Sequence, residues 1–156
     1  MGTRSLTHIK DDVWEEGETP KTVVTIYRQM DGYPEGLGAE LAEFLAPFVI
    51  VNGFGGGTER MAVANGMGCL AAQVVAHLKD GVGSVYLYAP DSEDVGEEYV
   101  YTISHTTPRN GTGGLNLKCE GVNGGWGDKP RTLEVLYDGP PERFAAFIEQ
   151  RAGSRN

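Results

Sequence analysis

Between Thr22 and Leu45 the chain passes from strand to helix in one short stretch, and that junction limits what the rest can fold into. Thr22-Val23-Val24-Thr25-Ile26-Tyr27 is β-branched and aromatic, suited to a pleated, half-buried surface. Asp31-Gly32 and Tyr33-Pro34 then break it: Gly32 admits a positive φ, and Pro34 keeps Tyr33 out of the helical region. Beyond the break Leu37, Leu41, Phe44 and Leu45 recur at helical steps, Glu40 and Glu43 face away, and Pro47 ends the helix.

The remaining segments are placed around this junction. Leu6-Thr7-His8-Ile9 alternates and predicts a first strand, paired with the second as an antiparallel hairpin across the acidic turn Asp11 to Pro20. Phe48 to Val51 is an apolar run too short to type. Cys69 to Lys79 predicts a helix, apolar nearly all round and so packed on more than one side, with Gly81 and Gly83 stopping it. Strands are expected over Ser84 to Ala89, Glu98 to Ser104, Leu115 to Glu120 and Thr132 to Asp138. Pro140-Pro141 opens a last helix with Phe144, Phe147 and Ile148 on one face. Strands and helices come in groups and do not alternate. That predicts a single α+β domain over 1–156, a mostly antiparallel sheet with about three helices packed on it.

Composition narrows the partners. The formal net charge of -9 argues against long nucleic acid and against an anionic membrane. No stretch approaches the roughly 20 apolar residues that span a bilayer, and no apolar leader is present, so a cytoplasmic protein is expected. Cys69 reads as a buried thiol in a helix, and neither it nor Cys119 has metal-type spacing. His8, His77 and His105 are scattered, which predicts no metal site; His77 reads as a structural residue of the helix. The acidic run Asp91 to Glu98 reads as a solvated turn.

The strand-to-helix turn is the strongest site candidate. Asp31, Tyr33 and Glu35 project from a rigid junction, and the start of the following helix favours a negative group. Arg4 and Arg28 are the natural anion partners if the first two strands pair, since two guanidinium groups give bidentate contacts to phosphate. The bland alternative is that the acids cap the turn and each arginine makes an internal ion pair. The glycine-rich segment from Asn52 to Arg60 lacks a Gly-Lys-Ser/Thr ending and the spaced glycines of a dinucleotide fingerprint. It reads as a surface loop or lid with Asn52, Thr58 and Arg60 as its polar contributors. The second glycine loop, Gly121 to Lys129, carries Trp126 and has no assigned role.

The opening Met-Gly-Thr-Arg-Ser, Tyr27-Arg28-Gln29 and Asp31-Gly32-Tyr33-Pro34-Glu35-Gly36 resemble a group of small proteins found in bacteriophages and bacteria. Asn65-Gly66-Met67-Gly68-Cys69-Leu70-Ala71-Ala72-Gln73 and Gly96-Glu97-Glu98-Tyr99-Val100-Tyr101 are similar to that group too. The resemblance implies a mobile-element context, where small proteins often act against host defence. No activity, catalytic residue or cofactor comes with it.

Three functions are therefore expected, in this order. The first is non-enzymatic sequestration of a small anionic, nucleotide-type signalling ligand. Arg4 and Arg28 would hold phosphate, Tyr33 would stack on a base, and Asp31 or Glu35 would take ribose hydroxyls. The second is an acidic inhibitor that docks on a host defence protein. The third is a nucleotide-cleaving hydrolase using Asp31 and Glu35 as acid and base. The edges of a small antiparallel sheet make a homo-oligomer an open option.

Overall fold

The computed structural model describes residues 2–53, 62–109 and 113–154. The strands predicted from β-branched and aromatic runs form: β1 (Ser5–Lys10), β2 (Thr22–Arg28), β5 (Val85–Tyr88), β6 (Tyr99–His105), β7 (Leu115–Asn123) and β8 (Thr132–Gly139). They make one six-stranded sheet in the order β5-β2-β1-β6-β7-β8. Four of its five seams are antiparallel; the central one, β1 against β6, is parallel, with Ser5 opposite Tyr99 and Ile9 opposite Ile103. Two antiparallel three-stranded halves are thus joined at the middle. The fold is α+β with a mostly antiparallel sheet.

Three helices cover one face. Pro34–Gly38 forms a wide π-type turn that runs directly into α1 (Ala39–Leu45), as Pro34 at its start allows. A short 3-10 turn, Pro141–Arg143, leads into α3 (Phe144–Ser154). The helix α2 spans Gly66–Leu78, three residues earlier than its apolar run predicts, because Gly66 and Gly68 hide its first turn from a propensity argument. Immediately before it, β4 (Val63–Asn65) pairs in parallel with β3 (Val49–Val51). Three-residue strands are too short to show alternation, so this small sheet is not readable in the sequence.

The helix-covered face holds the main core. Ile9, Ile26, Tyr101, Ile103, Leu117 and Cys119 from the sheet meet Leu37, Leu41, Met67, Leu70, Val74 and Phe144 from above. Phe144, Phe147 and Tyr137 pack with ring centroids 5.0–5.4 Å apart, fixing α3 on β8. Gly38 permits the closest approach: a Cβ there would stand 2.8 Å from the Phe144 ring and 3.2 Å from Tyr101. Helix α2 buries Met67, Leu70, Ala71, Val74 and Leu78, and leaves Cys69, Ala72 and Ala76 exposed. It packs on one side only; its alanines carry too little apolar surface to force burial of the other. Cys69 is thus an exposed thiol, contrary to the buried reading, and His77 is a surface residue stacked on Phe44 at 4.1 Å.

The opposite face is closed differently. Leu6 and Val100 are buried there outside the main core. The segment 89–98 folds across it, with the Asp91 N–H donating to Thr25 Oγ1 at 3.0 Å. Asp91, Glu93, Asp94 and Glu98 are exposed, as a solvated turn requires, but Glu97 is 5% exposed and bonded to Arg131.

Candidate functional site

The turn after β2 is built as the sequence suggests, but its charges are engaged by distant neighbours. Asp31 sits in the left-handed region (φ 57) and is exposed, a conformation that Asp tolerates better than most residues. Its carbonyl accepts the Leu37 N–H at 2.8 Å and closes the turn. The Gly32 carbonyl accepts the buried Tyr101 hydroxyl at 2.8 Å, which moors the turn to β6. Tyr33 is 37% exposed. Glu35 Oε2 accepts from Arg151 Nε at 3.0 Å.

Arg28 donates from Nη1 to Glu40 Oε2 at 2.8 Å and from Nε to the Met30 carbonyl at 2.9 Å. It stands opposite Ser5 in the β1–β2 register, one residue from Arg4, so strand alternation sends the two arginine side chains to opposite faces. Arg4 accordingly lies by Gly96, its Nη1 2.8 Å from where a Cβ on that glycine would stand. The two guanidinium groups do not converge on one anion. Asn52 is exposed, just past β3, on the side of the small parallel sheet. Thr58, Arg60 and most of the first glycine loop lie outside the described residues.

Beside this turn, reached through the Glu35–Arg151 pair, is a cavity of about 500 Å³. It opens where β6 begins, β7 ends and β8 begins, so all three strands and α3 contribute to it. Tyr99, Gly121 and Leu136 form its floor, and the missing side chain of Gly121 leaves the space above Tyr99. The Tyr99 hydroxyl accepts from Arg151 Nη2 at 3.3 Å, which leaves its own proton for another acceptor. The β7–β8 hairpin forms a wall and carries Trp126, 65% exposed. Gly124 (φ +73) is obligatory in that hairpin, since a Cβ would fall 2.2 Å from the Pro130 carbonyl oxygen.

Arg131, the last residue of the same hairpin loop, ties that wall to the segment carrying Glu93 and Glu97. It pairs with Glu97 through Nη2 and lies 3.7 Å from Glu93 through Nη1, while its buried Nε has no hydrogen-bond partner. Glu97 is fully engaged, accepting also from the Asp94 and Val95 N–H groups at 3.0 and 2.8 Å. Burial pushes its carboxyl up, but the backbone donors and Arg131 outweigh burial and hold it below the usual range. Asp94, Glu98 and Glu134 complete the rim as exposed carboxylates. The sequence signal for this site was an aromatic in a glycine-rich hairpin; Arg131 and Arg151 carried none, lying 20 residues apart (151 − 131) with no shared motif.

A second polar cluster has a structural explanation. Asp12 Oδ2 accepts the Met67 N–H at 2.7 Å and so caps α2 from the β1–β2 loop. Its Oδ1 faces His105 Nδ1 at 3.6 Å, with the two side chains 5% and 2% exposed, and His105 Nε2 contacts the Gly113 carbonyl at 3.1 Å. Arg109 donates to Asn65 Oδ1 at 3.1 Å and lies over the Trp14 ring. Together they join two loops to the start of α2; on the Nδ1 side of its ring His105 faces Asp12 Oδ1 without a hydrogen bond, and both atoms are buried.

Among the described residues no group of three or more His, Cys, Asp or Glu is placed to hold a metal. No described helix is long and apolar enough to cross a membrane. Comparison of the chain with protein-family models, with curated proteins and with solved structures returns no match.

Proposed function

We propose that this chain binds a small ligand of the nucleotide type without turning it over, in the cavity at the Tyr99 end of the sheet. The observation that carries the reading is the makeup of that cavity. At about 500 Å³ it is within the size of small-molecule sites, which run to roughly 300–1,000 Å³. It places Trp126 and Tyr99, rings on which a base stacks, beside Arg131 and Arg151, and surrounds them with carboxylates able to accept from sugar hydroxyls. Trp126 takes the stacking role that Tyr33 has in the sequence reading, and Arg131 takes that of Arg4 and Arg28. The resemblance to phage and bacterial proteins gives such binding a use: withdrawal of a host nucleotide signal.

The test is mass spectrometry of small molecules released on heating, with thermal melts against nucleosides and nucleotides. A ligand at about 100 times its dissociation constant adds roughly 2.7 kcal/mol, a shift easily read. Gly121→Val is the site control. A Cβ at Gly121 meets Leu136 at an ordinary 3.5 Å, so the fold tolerates a branched side chain that fills the cavity. Binding that survives this substitution would exclude the cavity.

A second reading, docking on a host protein, draws on the net charge of -9 and on exposed Leu133, Val135 and Trp126 at the β8 edge of the sheet. It predicts association that weakens steeply with salt; salt-insensitive association would sink it.

A further inference from the structure

The cavity also limits the charge of what it takes. Resting on the reading of that cavity as a nucleotide-type site, we infer that it selects a nucleoside or a ligand with a single phosphate and discriminates against polyphosphate chains. Both guanidinium groups are already neutralised: Arg131 by Glu97 and Glu93, Arg151 by Glu35. Three further carboxylates, Asp94, Glu98 and Glu134, stand exposed around the rim with no basic side chain on the lining beyond those two arginines.

The hydrogen-bond inventory points the same way. The Tyr99 hydroxyl on the lining keeps its proton while accepting from Arg151, whereas the unpartnered Arg131 Nε is buried. The hydroxyl suits one phosphate oxygen or an acceptor atom of a base. The carboxylates are acceptors only, and they match the hydroxyls of a ribose and the amino group of a base. A second or third phosphate gains no cation from the lining and adds charge inside a ring of like charge, where repulsion is screened by salt but not removed. Phosphate-chain sites gather uncommitted Arg, Lys or Mg²⁺; this wall does the reverse.

The experiment is calorimetric titration, in magnesium-free buffer, with adenosine, AMP, ADP and ATP and with the matching uridine series. Affinity is expected to be highest for the nucleoside or monophosphate and at least tenfold weaker for the triphosphate. In the Glu98→Gln/Glu134→Gln double variant the ratio of triphosphate to nucleoside affinity should rise at least threefold. Tightest binding of a triphosphate, or a charge order unmoved by the double variant, overturns the inference and leaves the cavity standing as a ligand site, provided Gly121→Val still abolishes binding. No binding by any member of either series overturns both.

Discussion

The two faces of the sheet are closed by different chemistry. Helices seal one with side chains such as Ile103, Leu117 and Phe144, all fully buried. A loop seals the other over Leu6 and Val100, held by Glu97, Arg131 and Asp91. Apolar burial does not titrate and is not weakened by charge screening, whereas a loop held by carboxylates is sensitive to both. The candidate site lies where these two regimes meet: its floor residues Tyr99 and Leu136 pack against the helix-side core, and its wall is the Glu97–Arg131 clamp.

The contrast can be broken most forcefully from the helix side. Phe144→Ala removes a fully buried ring that contacts Tyr137, Phe147 and the Gly38 backbone; it should cost about 4 kcal/mol in urea or thermal melts, at every pH tested. A loss under 1 kcal/mol would mean that α3 is not held as described.

From the loop side, Glu97→Gln removes the charge from a buried pair and should cost about 3 kcal/mol at pH 7. The sign of its pH dependence follows from the depressed carboxyl. Its stabilisation is complete above the unfolded value, about 4.3 for Glu, and is lost as pH falls through the folded value. Wild type should therefore lose stability on acidification faster than the variant, and the gap between them should narrow below about pH 4. Parallel curves would remove Glu97 as the cause.

The smallest effect sharpens the comparison. Thr7 lies on the helix-covered side, 1% exposed, and its Oγ1 is buried with no hydrogen-bond partner. Thr7→Val replaces that hydroxyl with a methyl and should stabilise by about 1 kcal/mol. Destabilisation would show that the hydroxyl is satisfied in solution.

Much of the fold was legible because strands such as Thr22–Tyr27 and the last helix with Phe144 and Phe147 carry their own periodicity. The small β3–β4 sheet and the first turn of α2 were not, since each depends on packing that overrides weak local preference. The candidate site was less legible still. The acids and arginines around the Tyr33 turn were visible, but their partners were not: Arg28 finds Glu40 and Glu35 finds Arg151, 116 residues away. Spacing along a chain says which residues share a face; it does not say which opposite charge reaches them first. Tyr99, Trp126 with Arg131, and Arg151 come from β6, the β7–β8 loop and α3, so only the folded sheet brings them together.

The parallel β1–β6 seam sets a schedule for synthesis. The strand that occupies the centre of the sheet leaves the ribosome first, and its second neighbour follows only after α1, α2 and β5 have emerged. Through that interval the edge of β1 that carries Leu6 and Ile9 has no partner strand. Completion then requires closing a long loop, which slows folding and prolongs exposure of an adhesive edge. Tyr99, the residue that closes the seam against Ser5, also lines the candidate cavity. That cavity is therefore complete only once the two halves have joined, and a partly made chain has no such pocket.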